Sequence, residues 1–367
     1  MNCAGCSMKD CASRVEAVCK SLPKAKATAL PHEEALRLTQ AFATRDWTEY
    51  DRCVVAFSGG KDSAACVVAL LEAGFPADRL ELWHHEIDGR ESEALFDWPQ
   101  TTDYCRKFAA AFGLKLRFSW KVGGFERELN RNETPTAPTR WEREDGTIGE
   151  TGGKGPKGTR GLLPQVSPDL KVRWCSAYLK IDVGAAMLRN EPRFAEARTL
   201  FVTGERREES SSRSKYMEFE KDRTWSNKRT VVRCRPVLDW GEEEVWEALR
   251  RWGIRPHVAY RAGFSRLSCA FCIFGNDDQW ATLLEMFPDV FEKVERYEAK
   301  SGKTIARSGK TIRERAENGT SYLAKLPEAE RAEILAECRA TEATEVKMDP
   351  ADWKLPAGAF GNSMGPC

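Results

Sequence analysis

The sequence lacks any apolar run near the roughly 18 residues that a membrane-spanning helix requires, so we expect no membrane partner. Its first residues, MNCAGCSMKDCASRVEAVC, contain no continuous apolar stretch. We therefore expect no secretory signal and a cytoplasmic protein. A dominant charge is also missing, because 57 Lys and Arg stand against 56 Asp and Glu. This balance excludes a strongly basic nucleic-acid coat, but it allows a local basic groove.

Cysteine, in contrast, is abundant, with 13 in 367 residues. The odd number excludes complete internal pairing, and a chain of this length buries enough core to need no disulfide framework. In a reducing compartment such cysteines stay thiols, bind metal or react. Cys53, Cys66 and Cys105 stand in apolar or helical surroundings, where we expect small buried hydrophobic residues.

Strand and helix patterns alternate along the middle of the chain, which indicates a parallel sheet. The resulting fold class is α/β, with a doubly wound, mostly parallel sheet of five or six strands and a helical C-terminal extension. The predicted strands are 52–57, 80–87, 114–120, 199–204 and 230–237, and the predicted helices are 33–46, 64–74, 98–112, 174–190 and 241–252.

Composition divides the chain into three parts. Residues 1–46 form a Cys-rich N-terminal segment and a helix, and residues 47–275 form the strand-and-helix domain. Within that domain, residues 121–170 are rich in Gly and Pro and predict a long surface loop. Residues 276–367 predict a helical C-terminal region with a polar tail.

A glycine turn after the first predicted strand carries the strongest functional signal. The turn reads Ser58-Gly59-Gly60-Lys61-Asp62-Ser63 and leads directly into a helix. Glycines let the backbone approach an anion closely, and the N–H groups at the helix start favour phosphate. Lys61 adds a cation, Ser58 and Ser63 add hydroxyl donors, and Asp62 is a candidate Mg²⁺ ligand.

This turn resembles the PP-loop of the N-type ATP pyrophosphatases and of the phosphoadenosine phosphosulfate (PAPS) reductase family. The resemblance covers roughly residues 50–275 and implies an adenine nucleotide alpha-hydrolase-like fold. It also implies an adenine nucleotide (ATP, or PAPS or its relative APS) at the carboxyl ends of the strands, with Mg²⁺. Lys61 and Asp62 would then act in catalysis.

A second stretch strengthens this resemblance. Residues 204–213, GERREESSSR, are similar to the family's G-x-R-x-x-E-S-x-x-R pattern and follow a predicted strand. Arg206 and Arg213 would grip phosphate or sulfate as catalytic cations, beside Gly204, Glu209 and Ser210. Asp88, after the second strand, stands where the family places an acidic segment near the nucleotide; it is either a polar contact or a solvated loop carboxylate.

Three cysteines are candidate ligands of a [4Fe–4S] cluster. Cys269 and Cys272 form a CxxC, whose spacing points both sulfurs the same way. Cys175, in RWCSAYLK, resembles the family segment that supplies a cysteine pair, but here Trp174 replaces the first cysteine. The alternatives are a three-ligand cluster with an open iron, a four-ligand cluster completed by Cys234 or another thiol, and Zn²⁺ or no metal.

Other cysteines and basic segments leave further possibilities open. Cys3, Cys6, Cys11 and Cys19 predict either a small metal site or an oxidation-prone terminus, and Cys367 either a nucleophile or an incidental residue. Basic residues concentrate in two segments beside the predicted site, which would attract either a small nucleotide or a nucleic acid. The two basic segments are 151–180 and 204–235. If the ligand is a nucleic acid, its bases would stack on Trp120, Trp141 and Trp174.

Three functions follow from the motifs. The first is an ATP-dependent, adenylating sulfurtransferase with an iron–sulfur cluster and a sulfur-donor protein, possible relatives being the DNA-phosphorothioation sulfurtransferases. The second is a PAPS or APS reductase that forms sulfite and depends on a redoxin. The reductases of the family have a Glu-Cys-Gly-Leu-His segment whose cysteine attacks sulfur. This segment is missing here, so the reductase function is less favoured than the sulfurtransferase function. The third is a non-catalytic nucleotide-binding module for a nucleic-acid or protein partner.

Overall fold

A computed structural model describes residues 46–93 and 96–361. Within them the structure contains one sheet of eight strands, in the order β5-β4-β3-β2-β1-β6-β8-β7. The strands are β1 (Arg52–Ala56), β2 (Leu80–Glu86), β3 (Lys115–Lys121), β4 (Pro138–Glu142), β5 (Ile148–Gly152), β6 (Arg198–Val202), β7 (Phe219–Lys221) and β8 (Thr230–Cys234).

Five of these strands are parallel, in the order β3-β2-β1-β6-β8. The predicted α/β class and doubly wound sheet are therefore confirmed. The sheet is wider than predicted because β4 and β5 add antiparallel strands at one edge and β7 adds one at the other.

The prediction of one long loop over 121–170 is wrong. This segment contains a short helix and the β4–β5 hairpin, whose turn includes Asp145-Gly146 with Gly146 at φ +80°. Asp-Gly between two strands is a strong hairpin signal. Buried Thr139 and Trp141 alternate with more exposed neighbours along β4, but the many flanking glycines and prolines conceal this short period.

Eleven α-helical segments surround the sheet in the described residues, and their C-terminal group confirms the predicted helical region. The helices are α1 (Lys61–Glu72), α2 (Thr101–Ala111), α3 (Gly124–Leu129), α4 (Trp174–Ser176), α5 (Asp182–Asn190), α6 (Glu242–Arg251), α7 (Val258–Arg261), α8 (Asp277–Met286), α9 (Pro288–Ser301), α10 (Ile312–Asn318) and α11 (Glu328–Arg339). A π-helical turn, Ala177–Ile181, joins α4 to α5. None of the helices in the described ranges is long and apolar enough to cross a membrane.

Both faces of the sheet are buried, as expected for parallel strands. Successive residues of a strand point to opposite faces, so Val55 joins an apolar cluster with α1 and α6, whereas Val54 joins another with α5. A third apolar cluster contains residues of the C-terminal helices. It also includes residues before the predicted boundary at residue 275, because Phe271 packs against Trp280 and Phe291.

The strand order places a crevice beside β1. The chain leaves β1 towards β2 on one side, and β6 pairs with β1 on the other side. Ligands of open α/β sheets bind at the carboxyl ends of strands where the order reverses in this way. The start of the helix after β1, at Asp62, meets the segment after β6, residues 203–206, at this crevice.

Candidate active site at the carboxyl ends of the strands

The turn after β1 is held in shape by its own hydrogen bonds. Gly59 has φ +79°, a left-handed conformation that favours glycine, and Gly60 is the extended residue before α1. The Gly60 N–H donates to Ser58 Oγ at 3.3 Å, and Ser63 Oγ donates to the Gly60 carbonyl at 2.8 Å. The turn therefore presents the start of α1 to the crevice.

Lys61 is buried and surrounded by oxygen atoms. Its Nζ donates to the Ser265 carbonyl at 3.1 Å and lies 3.4 Å from Asp62 Oδ2 and 3.6 Å from Glu242 Oε1. Burial alone would lower the pKa of Lys61, but Asp62, Tyr260 and Glu242 outweigh burial and raise it. The ammonium group thus remains charged and supplies a fixed cation.

Arg206 connects the loop after β6 to the turn after β1. Its Nε lies 2.7 Å from Asp62 Oδ1, and its guanidinium also pairs with Glu208. Burial would raise the pKa of Asp62, but Lys61 and Arg206 together lower it. The two loops pack closely here, since a Cβ on Gly204 would lie 3.1 Å from the Asp62 carbonyl.

The remaining predicted residues of 204–213 build the second loop. Glu209 Oε2 accepts from the Arg206 N–H at 2.9 Å and pairs with Arg213. Ser210 Oγ accepts from the Arg213 N–H at 3.3 Å. Arg213 is therefore brought near Arg206 through Glu209 rather than by direct contact.

A cavity of about 270 Å³, here called the loop cavity, lies between these two loops. Its charges balance, so an incoming anion must compete with carboxylates for the cations. Both Asp62 oxygens already face cations, and this arrangement does not fit a magnesium ligand. The lining residues are Lys61, Arg206, Arg266, Glu208, Glu209, Glu242, Ser265 and Gly361.

The three predicted cysteine ligands line one larger cavity of about 350 Å³, here called the thiol cavity. Cys175 lies in α4, whereas Cys269 and Cys272 follow α7. All three are free and partly exposed. Burial, followed by the neighbouring Cys272, raises the pKa of Cys175 to about 11. Burial likewise raises the pKa of Cys269, although Lys180 opposes this effect.

Lys180 faces these thiols from the π-helical turn. Its pKa is raised mainly by Cys269, and further by Cys272 and Cys175, against the opposing effect of desolvation. Three thiols at one cavity are the ligand type that a three-cysteine iron–sulfur cluster needs, and Lys180 adds a cation beside them. No group of three His, Cys, Asp or Glu residues within the described ranges is arranged to hold a single metal ion.

No other described cysteine lines the thiol cavity. Cys234 is fully buried in β8 within the cluster that holds Val55, so it cannot be the fourth ligand, and a fourth ligand from another thiol stays a prediction. Cys53, Cys66 and Cys105 are buried, as predicted. The helix at 33–46 and the predictions for Cys3, Cys6, Cys11, Cys19 and Cys367 lie outside the described residues.

A third cavity of about 190 Å³, the apolar cavity, lies at the ends of β1 and β2. Phe57, Trp83 and Ile87 contribute its apolar walls. His84 Nδ1 is 2.9 Å from the Phe57 carbonyl, which only accepts, so Nδ1 carries the proton and Nε2 is an acceptor. This buried Nε2 has no hydrogen-bond partner. The apolar and thiol cavities share Ile87, Lys180, Ser268 and Cys269.

Sequence reasoning missed Tyr260, which joins the turn to the CxxC segment. Its hydroxyl accepts from the Lys61 N–H at 2.9 Å and from the Leu267 N–H at 3.1 Å. It also missed Glu242 and Arg266, because nothing in their spacing relates them to the turn. The Pro256-to-Tyr260 stretch before the CxxC was the available signal for Tyr260.

Two further predictions have structural outcomes. The Asp88 carboxylate accepts backbone N–H groups of Phe96 and Asp97 at 2.9–3.2 Å and shapes that segment, so its contact with a nucleotide stays a prediction. Base stacking on three tryptophans is wrong, because all are at most 3% exposed: Trp120, Trp141 and Trp174.

Comparisons with known proteins relate part of this chain to enzymes that act on sulfonucleotides. Residues 155–274 match the model of the phosphoadenosine phosphosulfate reductase domain. The chain is 31% identical over 72 residues to an adenosine 5′-phosphosulfate reductase of Burkholderia cepacia, covering 20% of this chain and 27% of that protein. It is 24% identical over 238 residues to an uncharacterized protein of Methanocaldococcus jannaschii, covering 65% of this chain and 45% of that protein.

A further relative is an uncharacterized 37.8 kDa protein of Escherichia phage 186, with 29% identity over 133 residues, covering 36% of this chain and 39% of that protein. The chain thus spans less than half the length of these curated relatives. Among solved structures, the PAPS reductase of Candida auris in a phosphate complex has 15% identity and a TM-score of 0.32, over 70% of this chain and 91% of that chain.

Proposed function

We propose that the protein is an adenylating sulfurtransferase that uses ATP, from the premise that residues 155–274 match the phosphoadenosine phosphosulfate reductase domain. One observation carries the proposal: the thiol cavity adjoins both other cavities. It shares Lys180 and Cys269 with the apolar cavity and Arg266 with the loop cavity. Sulfur chemistry and nucleotide binding would therefore occur within reach of each other.

The nucleotide would span the apolar and loop cavities. An adenine ring suits the apolar walls and the unpartnered acceptor of His84. The phosphates would approach Lys61 and Arg206, whose cations exchange carboxylate partners for phosphate oxygens. The likeness to an adenosine 5′-phosphosulfate reductase supports an adenine nucleotide as the ligand.

In the proposed first step, an acceptor oxygen attacks the α-phosphorus of ATP. The new phosphorus–oxygen bond forms as the α–β bond breaks, and pyrophosphate leaves with the electron pair. Lys61 and Arg206 would offset the charge that develops on pyrophosphate. In the second step, a sulfur nucleophile supplied by a donor protein forms a bond to the acceptor atom, and AMP leaves with the oxygen.

Cys175, Cys269 and Cys272 would hold the predicted [4Fe–4S] cluster, since they face one cavity and none of the three forms a disulfide. When bound, such a cluster would supply an iron atom with an open coordination position for sulfur. Lys180 would stabilise the thiolates by its positive charge.

Sulfonucleotide reduction is the second candidate, and the local likeness to an adenosine 5′-phosphosulfate reductase favours it. A thiolate would attack the sulfur of APS or PAPS, forming a sulfur–sulfur bond while the nucleotide leaves. A second thiol would then release sulfite and close a disulfide, which a redoxin reduces. Cys269 and Cys272 have the spacing for such a pair.

Anaerobic purification is the first test. Iron and acid-labile sulfide would be measured beside the visible spectrum in the wild type and in Cys269→Ala/Cys272→Ala. We expect a brown protein with a broad band near about 400 nm, lost in the variant. Cys53→Ala is the matched control, because this cysteine lies in the core, and it should keep the band. A colourless, iron-free wild type would contradict the cluster.

Turnover separates the candidates. Release of AMP and pyrophosphate from ATP with an acceptor supports adenylation, whereas release of sulfite from APS or PAPS supports reduction. Lys61→Ala should abolish either reaction. A non-catalytic module would instead bind its partner both as the wild type and as Lys61→Ala, and the wild type would show no turnover. Candidate acceptors would include nucleic acids, because residues of the basic segments 151–180 and 204–235 line the thiol cavity.

A further inference from the structure

The thiol cavity has a strong excess of positive charge. Four cationic side chains line it, and Glu205 is its single lining carboxylate. Glu205 does not neutralise the cavity, because it lies 3.2 Å from Arg235, outside the lining. The four cations are Arg173, Lys180, Arg213 and Arg266.

These cations differ in how they are partnered. Arg213 pairs with Glu209, and Lys180 faces the thiols. Arg173 Nε and Nη1 are both buried and have no hydrogen-bond partner. Of the arginines in the described part of the chain that have such an unsatisfied nitrogen, Arg173 alone has two. Leaving a buried guanidinium N–H unpaired costs free energy, so its presence at a cavity wall indicates a missing ligand.

The position of Arg173 is well defined. Its backbone N–H donates to the Asp169 carbonyl at 2.9 Å, and its own carbonyl accepts from the Ser176 N–H at 3.1 Å. Its guanidinium lies 5.7 Å from the centre of the Phe274 ring. An arginine held in this way is suited to bind an oxyanion, to which it donates in the plane of the guanidinium.

We infer that Arg173 forms an anion subsite in the thiol cavity, separate from the loop cavity, that binds a carboxylate or phosphate group of the sulfur acceptor. This inference rests on the proposed function for the identity of the ligand. A cavity of about 350 Å³ has room for one such group of the acceptor. Arg173 does not line the loop cavity, so the subsite should remain available when a nucleotide occupies that cavity.

Selenate is a suitable probe, because it is a tetrahedral oxyanion that anomalous diffraction locates. The full chain would be titrated with selenate in the presence of a saturating non-hydrolysable ATP analogue. We expect binding that persists with the analogue, and an anomalous peak beside Arg173. Acetate competition in the same titration reports whether the subsite prefers a carboxylate, and a lower apparent affinity for selenate would support that form of the inference.

Variants assign the effect to this residue. Arg173→Gln should weaken selenate binding at least tenfold while the affinity for the ATP analogue stays unchanged. Arg173→Lys should lose less selenate affinity than Arg173→Gln, because lysine keeps the charge although it lacks the planar donors. Arg250→Gln removes the same charge from an exposed position of α6 and should change neither affinity. Unchanged selenate binding in Arg173→Gln, or selenate that the analogue displaces from the wild type, would overturn the inference.

A failure of the proposed function is distinguishable from a failure of the subsite. If the wild type does not bind the ATP analogue, the same selenate titration is made in Lys61→Gln, which removes the cation of the loop cavity. Selenate binding that persists there and disappears on adding Arg173→Gln supports the subsite without the nucleotide. Loss of selenate in Lys61→Gln alone would show that the loop cavity was the site and would overturn the subsite.

Discussion

Arg206 Nε lies 2.7 Å from Asp62 Oδ1, across 144 residues of sequence. This contact joins the loop after β6 to the first turn of α1. It holds together the two sides of the crevice in which the nucleotide is proposed to bind. Each partner also contacts a second charge, Glu208 for Arg206 and Lys61 for Asp62, so the pair belongs to a network.

Breaking this pair should lower stability. Arg206→Gln leaves the Asp62 carboxylate with Lys61 alone, and we expect the free energy of unfolding to fall by about 2–4 kcal/mol. Arg250→Gln is the matched control, because its pair with Glu247 is exposed and should contribute little to stability. Urea unfolding of both variants measures the difference. Equal losses would show that the pair contributes no more than a surface pair.

Removing the Tyr260 hydroxyl should affect both segments that it joins. Tyr260→Phe leaves the N–H groups of Lys61 and Leu267 without their acceptor, at a cost of about 2 kcal/mol in unfolding free energy. Tyr297→Phe loses a hydroxyl that contacts Glu126 near the surface and should lose less than about 1 kcal/mol. Chemical denaturation compares them, and a similar loss in both would contradict a special role for Tyr260.

His84 should select adenine over guanine if the base enters the apolar cavity. Its unpartnered Nε2 is an acceptor, which suits the amino group of adenine and opposes the carbonyl of guanine. We expect ATP to bind about 10–100-fold more tightly than GTP, and His84→Leu to reduce this ratio. Equilibrium titration with non-hydrolysable analogues measures it. A ratio near one in the wild type would place the base elsewhere.

Gly124 should not tolerate a side chain. It has φ +52°, and an added Cβ would lie 2.0 Å from the backbone of Asp88. Gly124→Ala should therefore lower the free energy of unfolding by about 3 kcal/mol or more. Gly146 has φ +80° but open space around it, so Gly146→Ala isolates the conformational cost, about 1 kcal/mol. Thermal unfolding that ranked the two variants equally would refute the steric argument.

Stability should depend on pH through buried His257. Burial lowers the pKa of His257 to about 3, whereas an unfolded histidine titrates at 6.5. The unfolded chain therefore binds a proton that the folded protein excludes. The stability contribution is complete above pH 6.5 and is lost as the pH falls from there towards 3, by up to about 1.4 kcal/mol per pH unit.

Urea unfolding between about pH 7.5 and 5 measures this slope. His84 adds to the slope in the same direction, because burial also lowers its pKa. His257→Asn keeps an acceptor for the Ala259 N–H and removes the titrating group, so the slope should decrease. A slope unchanged by this substitution would assign the pH dependence to other groups.

Local patterns predicted the central part of the fold. The apolar run of β1, the glycine turn and α1 are adjacent in the chain, so their spacing was sufficient to predict them. The same holds for the alternation of parallel strands and helices. The β4–β5 hairpin was missed because short strands between glycines and prolines have too few residues to establish a period.

The sequence by itself determined the parallel α/β sheet, the glycine turn at the start of α1 and the CxxC spacing of Cys269 and Cys272. Only the tertiary structure decided which distant side chains and carbonyl groups contact the glycine turn and the cysteines. Lys61 meets Ser265 across 204 residues, and Tyr260 meets Lys61 across 199. Secondary structure follows from residues three or four apart, whereas these contacts depend on how helices pack against the sheet, and no local spacing records that packing.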